Sequence, residues 1–211
     1  MPEVKVPTAS DWRDGFLFVG NHLALDFLNT RPVQDGELRE LLPDFEAVLR
    51  WFRAAGTLSS CQVDDLKQKW GESARARDLT AQMRQLRENL RNEILSWEGT
   101  GKLRRGTVDE LNFIMAKHPM LTRLKRGPSG TTTEFWLQAS NPEDLLAPLA
   151  HHAATLFANV DPHRVRKCGH CVLHFYDTSK KGTRRWCSMQ LCGNRLKVAA
   201  YAARQQARTP R

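Results

Sequence analysis

The 211-residue sequence has no apolar run approaching the ~20 residues a membrane-spanning helix requires, which excludes an integral membrane protein of the helical kind. Its opening, Met1-Pro-Glu-Val-Lys-Val-Pro, lacks the basic region and apolar stretch of a secretory signal. It contains no Gly-rich phosphate loop, no His-Glu-x-x-His and no serine or cysteine nucleophile in a recognisable setting, so no catalytic residue is expected. Cysteine is nearly absent from the first 160 residues: Cys61 stands alone there and reads as a small semi-buried side chain. Acids are nearly absent from the last 51. Residues 161–211 hold 12 Lys/Arg against Asp161 and Asp177, while residues 1–160 hold 20 Lys/Arg against 21 Asp/Glu. The whole +9 charge of the chain therefore sits on its last quarter, and such a short cationic module on a neutral body suggests a polyanionic partner for the module.

The remaining four cysteines fall within 25 residues, as Cys168/Cys171 and Cys187/Cys192, with 15 residues between the pairs. Each close pair lets one backbone turn aim two sulfurs at an ion, and the spacer brings the pairs together. This predicts one structural Zn2+ with four cysteine ligands. Metal-bound thiolates fit a reducing cytoplasm better than a disulfide framework. His170 and His174 are the competing ligands, but His170 lies inside the first turn and His174 would strain the site. Residues 172–176 and 183–186 read as the arms of a β-hairpin around the turn formers 177–182, with a helix from about Ser188. Phe175 and Trp186 are expected to pack it, and the turn–hairpin–helix order is treble-clef-like.

The body reads as mainly α with a small β element (α+β). The division expected is a lead-in over 1–14, a helical domain over 15–160 and a finger with a basic C-terminal helix over 161–211. Phe16-Leu-Phe-Val19 suggests a short buried strand, and a helix over 21–30 with Asn21 at or near its N-cap places His22, Asp26 and Asn29 on one stripe. That stripe is either an internally satisfied polar network or the lining of a small-molecule pocket. Further helices are expected over 44–55, after a Ser59/Gln62 capping box, over 79–97 with its Arg and Glu residues solvated, from a Thr107 cap to Lys117, and from Asn141 to about Val160 with a kink at Pro148. Residues 120–126 and 131–137 flank Gly-Pro-Ser-Gly as a hairpin. His151 and His152 are adjacent on a helix, about 100° apart, and would not chelate together.

Lys180, Lys181, Arg184, Arg185, Asn194, Arg195, Lys197 and Arg204 are the candidate nucleic-acid contacts: the cations grip phosphates, while Arg185, Asn194 or Arg195 could read base edges. Asn194 and Arg195 have an alternative role in bracing the metal turn, with Arg195 paired to Asp177. The run Arg166-Lys-Cys168 … Phe175-Tyr-Asp177-Thr-Ser179 … Arg184-Arg-Trp-Cys187-Ser-Met-Gln-Leu-Cys192-Gly-Asn-Arg195-Leu-Lys197 resembles the CGNR zinc finger. Phe18-Val-Gly20-Asn-His-Leu-Ala-Leu-Asp26-Phe-Leu-Asn29-Thr30 resembles the opening of the ABATE domain. The resemblance implies a bacterial stress-induced transcription regulator: the finger on double-stranded DNA, the N-terminal domain sensing a small molecule or mediating assembly. A single module buries only ~600–1,000 Å² on DNA, so a homodimer or a partner protein is expected. The competing readings are an RNA-binding or protein-interaction finger and, last, an enzyme using His22, Asp26 and Asn29.

Overall fold

The computed structural model describes residues 11–193 apart from 35 and 129. Two two-residue strands, β1 (Trp12–Arg13) and β2 (Phe16–Leu17), form a tight hairpin; β1 lies inside what the sequence suggested was a loose lead-in, and β2 within the short strand expected at 16–19. The run 16–19 is apolar without alternation because both of its faces are covered. Phe16 and Phe18 pack on the main core, whereas Leu17 and Val19 pack against the cysteine module. Helix α1 (Leu23–Leu28) starts later than expected. Asn21 takes a left-handed turn (φ 57°), and His22, not Asn21, is the cap: its Nδ1 accepts from the Ala24 N–H. A small hairpin, β3 (Val33–Gln34) and β4 (Glu37–Leu38), follows.

Helices α2 (Phe45–Ala54), α3 (Ser60–Trp70), α4 (Ala74–Thr100), α5 (Arg105–Lys117) and α6 (Leu146–Asn159) build the body. The Ser59/Gln62 capping box is formed. The core is the apolar face of α4, through Leu79, Met83, Leu86, Leu90, Ile94 and Trp97, closed by Phe27, Trp51, Phe52, Leu149 and Leu156. Strands β5 (Leu121–Gly127) and β6 (Gly130–Trp136) pair antiparallel as the expected hairpin, a ribbon with Leu121 opposite Trp136.

Three local expectations are overturned. Thr107 does not cap α5; its hydroxyl donates to the buried Glu93, which also accepts from the Arg104 N–H and so replaces the cap from outside the helix. Pro148 kinks nothing, because a 3₁₀ turn over Pro142–Leu145 precedes α6 and leaves the proline in its first turn, where few N–H groups have intrahelical partners. The charged face of α4 is not all solvated. Arg87 is 1% exposed, gripping both Glu40 oxygens (2.8 and 2.5 Å) and the Thr30 hydroxyl, while Arg91 donates to the Leu28 carbonyl at 2.6 Å. These arginines tie the end of α1 and the segment after it to α4. Among the described residues no helix is long and apolar enough to cross a membrane.

Candidate metal centre

A 3₁₀ turn over Pro162–Arg164 leads from α6 into β7 (Val165–Lys167), which pairs antiparallel with β8 (His174–Tyr176). The six residues between them form the knuckle, closed by the Cys168 N–H on the Leu173 carbonyl at 2.8 Å. The finger thus has its hairpin, and β8 lies within the expected arm 172–176, but its partner is β7 and 183–186 form no strand. The reason lies on the far edge of β8. There His174 and Tyr176 point their peptide groups at the body. Asn29 donates to the His174 carbonyl and accepts its N–H, both at 2.9 Å; the Tyr176 N–H bonds the Gly20 carbonyl at 2.8 Å, and its carbonyl accepts from Asn21 Nδ2 at 2.9 Å. With that edge occupied, no place is left for a third strand.

The loop 177–187 is instead held by side chains. The buried Asp177 carboxylate accepts from the N–H groups of Ser179 (2.9 Å) and Arg184 (2.7 Å). Burial pushes its pKa up, but these hydrogen bonds outweigh burial and hold it below the ordinary value. Arg164 donates to the carbonyls of Asp177 and Ser179, Arg166 to that of Gly182, and Arg184 to those of Trp186 and Cys187 while its guanidinium lies 4.4 Å from the Phe175 ring centroid. The backbone then turns through Met189–Gly193, a π-type turn in which the Gly193 N–H reaches the Ser188 carbonyl at 3.0 Å. Ser188 also accepts the Gln190 N–H and hydrogen-bonds Asp11.

These elements bring the sulfurs of Cys168, Cys171, Cys187 and Cys192 within 4.8 Å of one another, with Cys171–Cys187 at 3.7 Å and Cys187–Cys192 at 3.6 Å. A tetrahedron with metal–sulfur bonds of about 2.3 Å has edges of about 3.8 Å, so the donor set fits one zinc ion. Hydrogen bonding to Cys168 pushes the Cys171 thiol up to about 12, and the same contact raises Cys187, because four clustered sulfurs cannot all ionise unaided. A divalent cation supplies the charge that lets them do so, and its uptake is accordingly favoured by rising pH. His170 is exposed in the knuckle. His174 is buried and faces the body, with neither ring nitrogen paired among the described residues; burial lowers its pKa to about 4. Neither histidine joins the cysteine cluster.

Of the expected nucleic-acid contacts, Lys180, Lys181 and Arg185 are exposed on the loop flanking this cluster, whereas Arg184 is half-buried and turned inward. Asn194, Arg195, Lys197 and Arg204 lie outside the described residues, as does the helix expected beyond Gly193. Arg164 carried no sequence signal beyond its proximity to cysteine, while Arg166 and Asp177 stood in the run resembling the finger without the loop-bracing roles seen here. His22, Asp26 and Asn29 separate. His22 caps α1, and Asn29 is spent on β8. Asp26 accepts the Gly20 N–H at 2.7 Å, and burial raises its pKa to about 7 against the pull of that bond. A Cβ on Gly20 would lie 2.8–2.9 Å from Leu25 and Asp26, so glycine is required at this close approach.

Among curated proteins none matches the chain. The CGNR zinc finger pattern matches residues 164–205, spanning the knuckle, the arginine-braced loop and all four cysteines. The pattern of the ABATE family, described as "Putative stress-induced transcription regulator", matches residues 21–160, the helical body together with the Gly20–Asn29 joint from Asn21 onward. With two thirds of its length covered by that match, the chain belongs to the ABATE family and carries a CGNR zinc finger able to hold one zinc ion.

Proposed function

We propose that the protein is a zinc-dependent, DNA-binding transcription regulator in which the finger docks on duplex DNA and the helical body serves as sensor and assembly module. The observation that carries this reading is the split among the finger's cations. Arg164, Arg166 and Arg184 are consumed in bracing the metal loop, yet Lys180, Lys181 and Arg185 remain exposed on it and form no ion pair among the described residues. Exposed cations presented from a rigid, metal-braced loop suit phosphate contact. The reading includes no catalytic step. Because one finger offers little contact area, it also includes a homodimer in the cytoplasm.

The test is selection from random duplex DNA with zinc-loaded protein, followed by anisotropy titration of the selected site against structured RNA, with and without chelator. Zinc-dependent preference for the duplex is expected. Equal affinity for RNA, or full affinity after metal removal, would overturn the reading. Sedimentation at the binding concentration checks the dimer.

A further inference from the structure

Beneath the β5–β6 ribbon lies a cleft of about 730 Å³, within the ~300–1,000 Å³ usual for small-molecule sites. Its walls come from four separate places: α1, the α2–α3 connection, the ribbon and α6. Leu23, Leu58, Met120 and Trp136 supply an apolar lining. His152 also lines the cleft, half-buried. Its ring meets the His22 and His151 rings, each at a centroid distance of 5.8 Å, but forms no hydrogen bond among the described residues. Burial lowers its pKa to about 4, so it is a neutral imidazole with unused donor and acceptor capacity. Arg123 and Glu134 also line the cleft and pair at 3.3 Å; Lys125, further along β5, shares the same acid at 3.4 Å, so the two cations outnumber it by one positive charge. The Arg123 guanidinium lies 5.5 Å from the Trp136 ring centroid.

We propose that this cleft binds a one- or two-ring aromatic acid: its anionic group on Arg123, its ring along Trp136 and Met120, and a polar substituent on His152. The proposal deepens the sensor half of the preceding reading. It also gives a physical route to the finger, because His22, packed on His152, is adjacent to Asn21, which bonds β8, and α6 runs on into β7. A ligand bridging ribbon, α1 and α6 would bias the mount on which the finger sits.

The probes are 1-naphthoate, benzoate and their carboxamides, titrated at millimolar concentration into the full zinc-loaded chain and followed by saturation-transfer NMR and calorimetry. Naphthoate should bind about tenfold more tightly than naphthamide, since the acid gains a charge-assisted contact. Arg123→Ala, at a side chain half exposed and safe for folding, should abolish that difference, whereas Thr132→Ala near the ribbon tip should not. Failure of both acids to bind, or equal weakening of acid and amide by Arg123→Ala, would overturn the site. Because no DNA is present, failure of DNA binding leaves this result standing. Conversely, naphthoate bound without any change in DNA affinity would leave the site and refute the sensor.

Discussion

Replacing Asn29 by alanine should loosen the finger from the body while leaving both folded. Asn29 is 1% exposed and does for β8 what a neighbouring strand would do, accepting the His174 N–H and donating to its carbonyl at 2.9 Å each. Its removal strands two buried peptide groups, each costing about 1–3 kcal/mol when unpaired. Water entering at the joint recovers part of that, so a loss of about 2–4 kcal/mol is expected, a factor of about 30 to 1,000 in the opening equilibrium. The assay is amide hydrogen exchange on the zinc-loaded chain. The His174 and Tyr176 amides, which bond Asn29 and the Gly20 carbonyl, should lose protection by that factor. Amides of α2 and α4 should change little, and one zinc should remain bound because Asn29 touches no cysteine. Asn29→Asp sharpens the test. It keeps the acceptor but sets a buried carboxylate oxygen against a carbonyl, so near neutral pH it should do no better than alanine and should recover in acid, when a protonated carboxyl can donate. Unchanged protection in β8, or a uniform loss across α2 and α4, would refute the assignment of Asn29 to the joint.

Cys187→Ser, at a fully buried sulfur lying between those of Cys171 and Cys192, should abolish stoichiometric zinc and expose the bonds after Lys180, Lys181 and Arg185 to trypsin, with helical circular dichroism largely kept; full zinc content in this variant would contradict the four-sulfur site. Substituting Lys180, Lys181 and Arg185 by glutamine together should flatten the affinity–salt slope on duplex DNA by about three, while Arg184→Gln should leave the slope nearly unchanged and instead lower stability by about 1–3 kcal/mol, as its donors to two backbone carbonyls are lost; the reverse pattern in a salt titration would sink the division of roles. Asp26 has a folded pKa of about 7 against 3.8 unfolded, so stability is fully present below 3.8 and is lost as pH rises towards 7, by on the order of 4 kcal/mol. Urea midpoints for Asp26→Asn should rise relative to the parent across that window; parallel curves would mean the carboxyl ionises freely. His22 and His152, each lowered to about 4, act in the opposite sense, because their unfolded forms take up protons below 6.5 and stability falls as pH drops from 6.5 through 4.

The sequence carried what depends on short spacing. Two cysteine pairs predict the metal centre, Ser59 and Gln62 their capping box, and Gly-Pro-Ser-Gly before the β-branched run Thr131–Thr133 the ribbon. What it hid depends on partners far along the chain. Helical periodicity put His22, Asp26 and Asn29 on one stripe, but α1 is only six residues long and its ends are set by contacts to residues 174–176, so the first and last of the three became caps and clamps. Positive charge near the finger was legible, but its division was not: whether an arginine faces solvent or a backbone carbonyl depends on the 177–187 loop having no strand ladder of its own. Four consecutive apolar residues at 16–19 were a readable sign of burial on both faces. The second face could not be assigned without knowing that the finger completes its own core there.

That shared core bears on how zinc and body act on each other. The finger's buried cluster is Leu173, Phe175 and three of the cysteines, and it is closed by Leu17 and Val19, with Trp12 packed beside them, from the opposite end of the chain. A module of this size has little apolar area to bury by itself, so its folding draws on the metal and on the N-terminal hairpin together. The metal fixes the knuckle, the knuckle sets the register of β8, and β8 is the strand held by Gly20, Asn21 and Asn29. Coupling of this kind is reciprocal: whatever free energy zinc contributes to holding β8 against α1, that docking contributes to holding zinc. The exposed Lys180, Lys181 and Arg185 are therefore presented in a direction fixed by the body, and a change in how α1 sits would turn them as a unit instead of loosening them one at a time.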